Sequence, residues 1–362
     1  MDETGVSAFE RLSQRKREIL RLVIQQYVRE VHPVSSQAVA DEIRVSSATV
    51  RNELVSLEEQ GYLLQPHTSG GRVPTDLAYR FFVEELIQRL SSTLEHQARV
   101  AQVYTQLGRE TETLLEGTLD LLTSMTGYVA WVSTPDPAAL EIRSVNFVEV
   151  DTFQVLVVVV TGAGVMQNRM VETLVPVREL ALGRLTDQLN HYLRGRSVML
   201  IDYEELRGIF REAVRIPSSL LKALEEFFVN LAQAKERVLF SNALQLALQP
   251  EFTRVEQLTG VIAAINDRER FVRSLRDHLD ERQVQAIIGR ENADPGLQQC
   301  SLVLSRYQLP GGEEGTLGIL GPTRLLYERT LPWVKAIGEA VAQALSDIGN
   351  ENAPGVEPGR EG

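Results

Sequence analysis

A single cysteine, Cys300, in 362 residues rules out a disulfide within the chain and leaves no thiol cluster for zinc. Histidine is almost as sparse. His32, His67, His96, His191 and His278 stand far apart, at none of the spacings by which imidazoles share a metal. Long hydrophobic runs are missing too: the longest aliphatic stretch, Val155 to Val160, is too short to span a bilayer, and no apolar segment follows Met1 as a secretion signal would. The expected protein is cytoplasmic, without membrane anchor, metal or cofactor. Positive charge is also in deficit, with 37 Lys and Arg against 49 Asp and Glu and a formal net charge of −12. Spread evenly, that balance would repel nucleic acid. It is not even: residues 11 to 80 hold ten basic and eight acidic side chains, so a near-neutral head sits on a body that carries −14. Hydrophobic residues make up 43% of the chain and are periodic, which gives enough material for two or three packed domains.

Catalytic chemistry is equally thin. Gly162-Ala163-Gly164 lies between two strand-like runs with no helix after it, so it reads as a hairpin turn, not a dinucleotide loop. Gly311, Gly312 and Gly315 lack the Gly-Lys-Ser/Thr of a phosphate loop. Ser301 and Ser305 have no His and Asp placed by a recognisable motif. Asp277, His278, Asp280 and Glu281 crowd a helix end, where a solvated cap is the simpler account than a metal site. The chain is not expected to be an enzyme.

What is present is a DNA-reading pattern near the N-terminus. Ser13 to about Glu30 predicts a helix with Ile19, Leu20, Val23 and Tyr27 inward, and Ser35 or Ser36 to Ile43 a second, short one. A third follows from Ser46 or Ser47 to about Gln60. Its Val50, Leu54 and Leu57 form an apolar stripe, and Ala48, Thr49, Asn52 and Ser56 face away from it with Arg51 at the flank. A solvated helix would carry Glu and Lys there. Short neutral residues, one amide and one cation instead suit close approach to base edges in a major groove. Tyr62-Leu63-Leu64 then starts an extended run, and Pro66 to Arg72, including His67 and Thr68, has two glycines and a cation, as a wing laid on the phosphate backbone needs. Three helices, a strand and a hairpin in this order spell a winged helix-turn-helix. A small helical subdomain without a ligand would share the same spacing.

Beyond Thr75, helical periodicity runs to about Ser124, as two helices linking head to body. Strands are expected at Tyr128 to Val132, Ile142 to Val150, Phe153 to Thr161 and Val165 to Val171, as one antiparallel meander whose Val-rich third strand is buried on both faces. Helices fill Val177 to Asp280, one of them reaching from Ser218 to about Leu248. Strands resume at Val284 to Ile288, Cys300 to Arg306 and Thr316 to Leu320, before a last helix from about Thr323 to Ile348. The order strands, helices, strands, helix reads as one α/β body interrupted by a helical insert. Residues 349–362 are rich in Gly, Pro, Glu and Asn and read as a disordered tail. In the body, Arg290 and Glu291 with Arg324 and Tyr327 are candidates either for a small-molecule pocket or for a strand-to-helix joint held by an Arg–Glu pair.

From about Leu12 to Ile348 the sequence resembles the HrcA family of bacterial heat-shock repressors. The resemblance is strongest in SSATVRNELVSLEEQGYLLQPHTSGGRVPT, from Ser46 to Thr75, and is supported at His32 to Ser36, Gln249 to Phe252, Ile288 to Asn292 and Gly318 to Tyr327. Ala78, where the family usually has Gly, and Gly70, often Ala, depart from the pattern away from the base-reading face. The resemblance implies an α+β multidomain protein. Residues 1–89 would be the winged helix-turn-helix head, 90–195 with 281–348 a GAF-like α/β body, and 196–280 an inserted helical dimerisation domain. It also implies a homodimeric repressor of chaperone genes that binds double-stranded DNA at an inverted-repeat operator called CIRCE, depends on the GroE chaperonin and is relieved by heat. Ser46, Ser47, Ala48, Thr49, Arg51, Asn52, Ser56, His67, Thr68 and Arg72 are the expected DNA contacts. The alternative is a ligand-sensing winged-helix repressor that uses the GAF-like body as a metabolite pocket.

Overall fold

A computed structural model describes residues 12–66, 70–90, 94–104, 111–134, 141–161, 166–213, 216–233, 237–276, 278–279, 282–308 and 314–351. In the head, Ser13 caps α1 (Gln14–Glu30), Ser35 caps α2 (Ser36–Ile43) and Ser46 caps α3 (Ser47–Glu59). Each hydroxyl accepts the backbone N–H three residues on, a donor that the helix itself leaves unpaired. Arg44, in the left-handed region at φ 56°, makes the turn between α2 and α3. Ile19, Leu20, Val23, Val39, Val50, Leu54 and Leu57 close a core between the three helices. After α3 the chain returns as β1 (Leu63–Leu64), paired antiparallel with β2 (Val73–Pro74). Thr75 then caps α4 (Asp76–Gln88) and donates its hydroxyl to the carbonyls of Gly61 and Tyr62, which fastens the hairpin to the next helix.

The link to the body is two helices beyond α4, namely α5 (Leu94–Tyr104) and α6 (Thr111–Thr126), so the long periodic stretch divides into three. The body sheet begins with β3 (Val129–Ser133) and is interrupted at once. β4 (Ile142–Asp151), β5 (Gln154–Thr161) and β6 (Met166–Glu172) form a separate three-stranded antiparallel sheet. It packs against α7 (Leu182–Leu193), α8 (Tyr203–Glu212) and α9 (Ser218–Gln233) in a core of its own, with Val145, Val155, Val157, Val159, Leu185, Leu189, Leu206, Leu224 and Phe228 inside. The chain then re-enters the body through β7 (Val238–Phe240), α10 (Leu244–Ala247), α11 (Val255–Asn266), α12 (Arg268–Arg276), β8 (Val284–Ile288), β9 (Cys300–Gln308), β10 (Glu314–Pro322) and α13 (Tyr327–Glu351).

Five strands in the order β7-β3-β10-β9-β8, all antiparallel, make the body sheet. Alternate residues feed two cores. Ala130, Val132, Val303, Leu317 and Ile319 lie on the face covered by α6 and α13, while Val129, Trp131, Leu302, Leu304 and Leu320 meet Val261, Phe271 and Leu275 of α11 and α12. Helices on both faces of an antiparallel sheet give the α/β body expected of a GAF-like fold.

Five expectations change. The strands from 128 to 171 are not one meander, because β3 pairs with β10 and β7 and not with β4. Grouping 142–195 with the body and setting 196–280 apart does not match the packing: β4–β6 and α7–α9 share one core, whereas β7 and α10–α12 belong to the body. The Val-rich strand β5 is covered on one face, since Val155, Val157 and Val159 are buried while Leu156 and Val158 stay half-exposed. The helix expected to reach Leu248 ends at Gln233, and Val238-Leu239-Phe240 pairs as an edge strand instead. At the C-terminus α13 begins at Tyr327, after β10 has run to Pro322, and extends to Glu351, three residues into the expected tail.

Candidate nucleic-acid interface

The outward face of α3 is open. Ala48, Arg51 and Asn52 are exposed and Ser47, Thr49 and Ser56 half-exposed, opposite the buried Val50, Leu54 and Leu57. The short side chains leave the helix backbone near the surface, and Asn52 presents both a donor and an acceptor, the set that pairs with adenine in a major groove. Around the helix start, Ser46 Oγ lies 2.7 Å from Thr49 Oγ1, and Ser47 Oγ lies 3.2 Å from Ser36 Oγ at the start of α2. The N-termini of α2 and α3 therefore converge, with their partial positive charge on the side where a phosphate backbone would run. Arg51 has no ion-pair partner among the described residues.

Two contacts were not legible in the sequence. Lys16, from the first turn of α1, donates to Ser56 Oγ at 2.8 Å, which brings a third helix's cation onto the reading face. Lys16 belongs to the basic run Arg15-Lys16-Arg17, whose proximity to α3 depends on the tertiary fold. Arg72, expected to be free for the phosphate backbone, is instead tied to α3: its Nε donates to Glu58 Oε2 at 2.8 Å, with the two side chains 14% and 33% exposed. Arg72 also exchanges both backbone hydrogen bonds with Val34 at 2.8 Å each, so the wing is stitched to the segment before α2. Gly71 is required for that approach, because a Cβ there would sit 2.4 Å from the Val34 carbonyl oxygen. His67 and Thr68 lie outside the described residues.

The four body candidates do not gather round one cavity. The Arg324 side chain, 10% exposed, forms a two-pronged pair with Glu251 and reaches Gln249 at 3.4 Å. Tyr327 donates to Ser301 Oγ and the Thr323 carbonyl, each at 2.7 Å, and burial pushes its phenol well up. It also lines a cavity of about 40 Å³, room for ordered water but not for a metabolite. Glu291 binds Arg80 and the Arg290 backbone N–H binds Asp76, both on α4 of the head. The ion pairs of these residues are Arg324–Glu251 and Arg80–Glu291. Among the described residues no group of three or more His, Cys, Asp and Glu is placed to hold a metal, and no helix is long and apolar enough to cross a membrane. Asp277, Asp280 and Glu281 lie outside those residues.

An open, cation-flanked recognition helix with a wing, carried on an α/β body, defines a winged-helix transcription regulator. Residues 11–87 match the family model described as winged helix-turn-helix transcription repressor, HrcA DNA-binding, and residues 112–331 match that of the HrcA protein C terminal domain. The chain is 34% identical over 348 residues to the heat-inducible transcription repressor HrcA of Thermosynechococcus vestitus, covering 92% of this chain and 98% of that one. It is 32% identical over 341 residues to the protein so named from Symbiobacterium thermophilum, covering 93% and 98%. A solved structure titled as a hypothetical protein at 2.2 Å resolution shares the fold, with a TM-score of 0.62 and 23% identity, covering 93% of this chain and all of that one. The chain belongs to the HrcA family of heat-inducible transcription repressors, which is not a class of enzymes.

Proposed function

We propose that two copies of this chain pair and set their α3 helices in successive major grooves of an inverted-repeat operator, the CIRCE element, upstream of chaperone genes in the cytoplasm. The observation that carries this reading is the exposed face of α3, where Ala48, Thr49 and Asn52 stand with an unpaired Arg51 in place of a solvated Glu and Lys surface. Asn52 and Thr49 read bases, Ser46 and Ser47 hold phosphate at the helix start, and Arg51 and Lys16 flank the groove. Pairing is supported by the outer face of the β4–β6 sheet. Val148, Leu156 and Met170 lie in one row across the three strands, Val148 and Met170 being 48% and 46% exposed, and Leu174 is 92% exposed beside them. An apolar sheet face left open in this way is the mark of an interface between chains.

The family resemblance adds that the GroE chaperonin keeps the repressor active and that heat relieves repression. Exposed Met199, Leu200, Leu244, Leu248 and Val255 supply the apolar surface that a chaperone grips. The test is a mobility shift of an inverted-repeat duplex with purified protein, before and after heating, with and without chaperonin. The reading expects a dimer on the inverted repeat and loss of binding on heating that chaperonin restores. Asn52→Ala should cost about 1–3 kcal/mol on the operator and little on random DNA. Equal loss on both, or full spontaneous recovery after heating, would refute the base-reading and chaperonin parts respectively.

A further inference from the structure

The head does not hang from the body on a tether. Its core continues into the body, where Ile24, Val28 and Phe82 meet Leu325 and Tyr327, and Tyr79 packs its ring 6.0 Å from that of Tyr327. Contacts of this kind hold two parts together but slide easily; direction must come from polar groups. They lie on α4.

Asp76, Arg80 and Glu84 occupy the i, i+4 and i+8 positions of one stripe of α4, with charges in the order minus, plus, minus. Each is answered from the body. Asp76 Oδ2 accepts the Arg290 backbone N–H at 3.0 Å. Arg80 donates from Nε to Glu291 Oε1 at 2.8 Å, from Nη2 to Glu291 Oε2, and from Nη2 to the Ala286 carbonyl at 2.6 Å. Glu84 accepts from Arg282 Nη1 at 3.1 Å. The receiving loop is itself held in shape: Glu291 Oε2 accepts the Ile288 N–H at 2.7 Å, and His278 Nε2 lies 3.0 Å from the Glu291 carbonyl oxygen. Gly289, at φ +54°, leaves the space that Asp76 fills, since a Cβ would meet its carboxylate at 2.3 Å.

This stripe borders an open cleft of about 390 Å³ lined by Arg80, Glu84, His278, Arg282 and Glu291, so water reaches its ion pairs. α3 contributes nothing to the stripe, and its reading face stays exposed. The ionic part of the contact that fixes the angle of α3 on the body therefore runs through α4, beside the Gln25–Glu328 hydrogen bond from α1. On a single half-site that angle is immaterial, because the head can rotate with its DNA. On an inverted repeat both reading helices must enter grooves one helical turn of about 34–36 Å, or a multiple of it, apart at once, and a small rotation of either head breaks the match.

We infer that Asp76, Arg80 and Glu84 are positioning residues for DNA recognition: by fixing the head on the body, their ionic stripe selects the two-half-site operator over a single half-site. The inference rests on the reading of the protein as an operator-binding dimer. It goes further in assigning the geometry of that dimer to named pairs outside the DNA interface.

The test compares the full-length wild type with Arg80→Gln and Arg80→Lys on two duplexes, one with the inverted repeat and one with a single half-site. Fluorescence anisotropy reads binding, and hydrogen exchange is followed on the free proteins. Arg80→Gln should bind the inverted repeat at least tenfold more weakly and the half-site within twofold of wild type, with Arg80→Lys between. Exchange at the Arg290 and Ile288 amides should rise while α3 keeps its protection. A folded Arg80→Gln protein that matches wild type on the inverted repeat, or loses the same factor on both duplexes, overturns the inference. Should Arg80→Gln fail to fold, Arg282→Gln, at a side chain 49% exposed, carries the same comparison with an expected loss of at least threefold on the inverted repeat alone. A wild type with no preference for the inverted repeat would refute the dimeric-operator reading, and this inference with it.

Discussion

The contrast between Arg51 and Arg72 yields the sharpest quantitative expectation. Both cations flank the reading helix, and sequence alone makes each a candidate DNA contact. The structure separates them: Arg51 is exposed and unpaired among the described residues, whereas Arg72 is held by Glu58 at 2.8 Å and is only 14% exposed. A side chain that neutralises a phosphate releases counterions, and each such contact adds about 0.9 to the slope of log affinity against log salt. Arg51→Ala should thus flatten the slope by about 0.9 per head, or about 1.8 for a dimer on its operator. Between 50 and 200 mM salt the wild type would then lose roughly twelvefold more affinity than the variant. Arg72→Ala should leave the slope unchanged and weaken binding by about 1–2 kcal/mol, the order of a charged hydrogen bond, through a loosened wing. Exchanging the pair, Glu58→Arg with Arg72→Glu, should recover most of that loss. Anisotropy titrations at four salt concentrations measure all three. An Arg72→Ala slope as flat as that of Arg51→Ala, with no recovery in the exchanged pair, would mean that Arg72 leaves Glu58 for phosphate on binding, and the argument from its ion pair would fail.

Leu189→Ala removes a fully buried side chain from the core shared by β4–β6 and α7–α9 and should cost about 2–5 kcal/mol, seen as a lower calorimetric transition for that unit. Glu251→Ala strands the Arg324 guanidinium, whose side chain is 10% exposed, and should destabilise the body by about 3–5 kcal/mol; a denaturant midpoint within error of wild type would contradict that. Burial pushes the Cys300 thiol up, so an aromatic disulfide reagent at pH 8 should leave the native protein unlabelled and react only as it unfolds. Burial likewise raises the phenols of Tyr79, Tyr104 and Tyr327. The unfolded chain then releases these protons first. Their stabilising contribution is complete below the unfolded values of 9.0 for the thiol and 10.0 for the phenols, and is lost as pH rises past them, which melting curves from pH 7 to 11 would record.

The head was legible because its signals are local. Ser13, Ser35 and Ser46 cap the helices they precede, and the stripes of α1 and α3 fall inward as their spacing requires. The body was less so. Nothing near β3 says that Val132 pairs with Leu317, and adjacency in sequence favoured β4 instead. β7 is three residues long and was absorbed into a helical period that overran it. In β5 the run of valines hid an alternation that only burial reveals, because its outer face is apolar as well. A face left apolar at the surface looks, in one sequence, like a face buried in its own core.

The same ambiguity runs in reverse on α4. Short neutral side chains on α3 stood out because a solvated helix seldom has them, so the residues proposed to face DNA could be named without coordinates. Asp76, Arg80 and Glu84 could not, since alternating charges four residues apart are what an exposed helix uses to stabilise itself. What separates the two cases is the far side. The three residues opposing them, Glu291, Arg290 and Arg282, are about two hundred positions away; Arg282 lies just before β8, and Arg290 and Glu291 sit in the loop after it, whose shape needs Gly289 at positive φ and the Glu291 carboxylate turned back onto the Ile288 amide. Recognition chemistry at a surface is written in residue types, and orientation between two folded parts is written in which pairs meet. The proposed operator contacts rest on the first and the proposed presentation of the reading helix on the second.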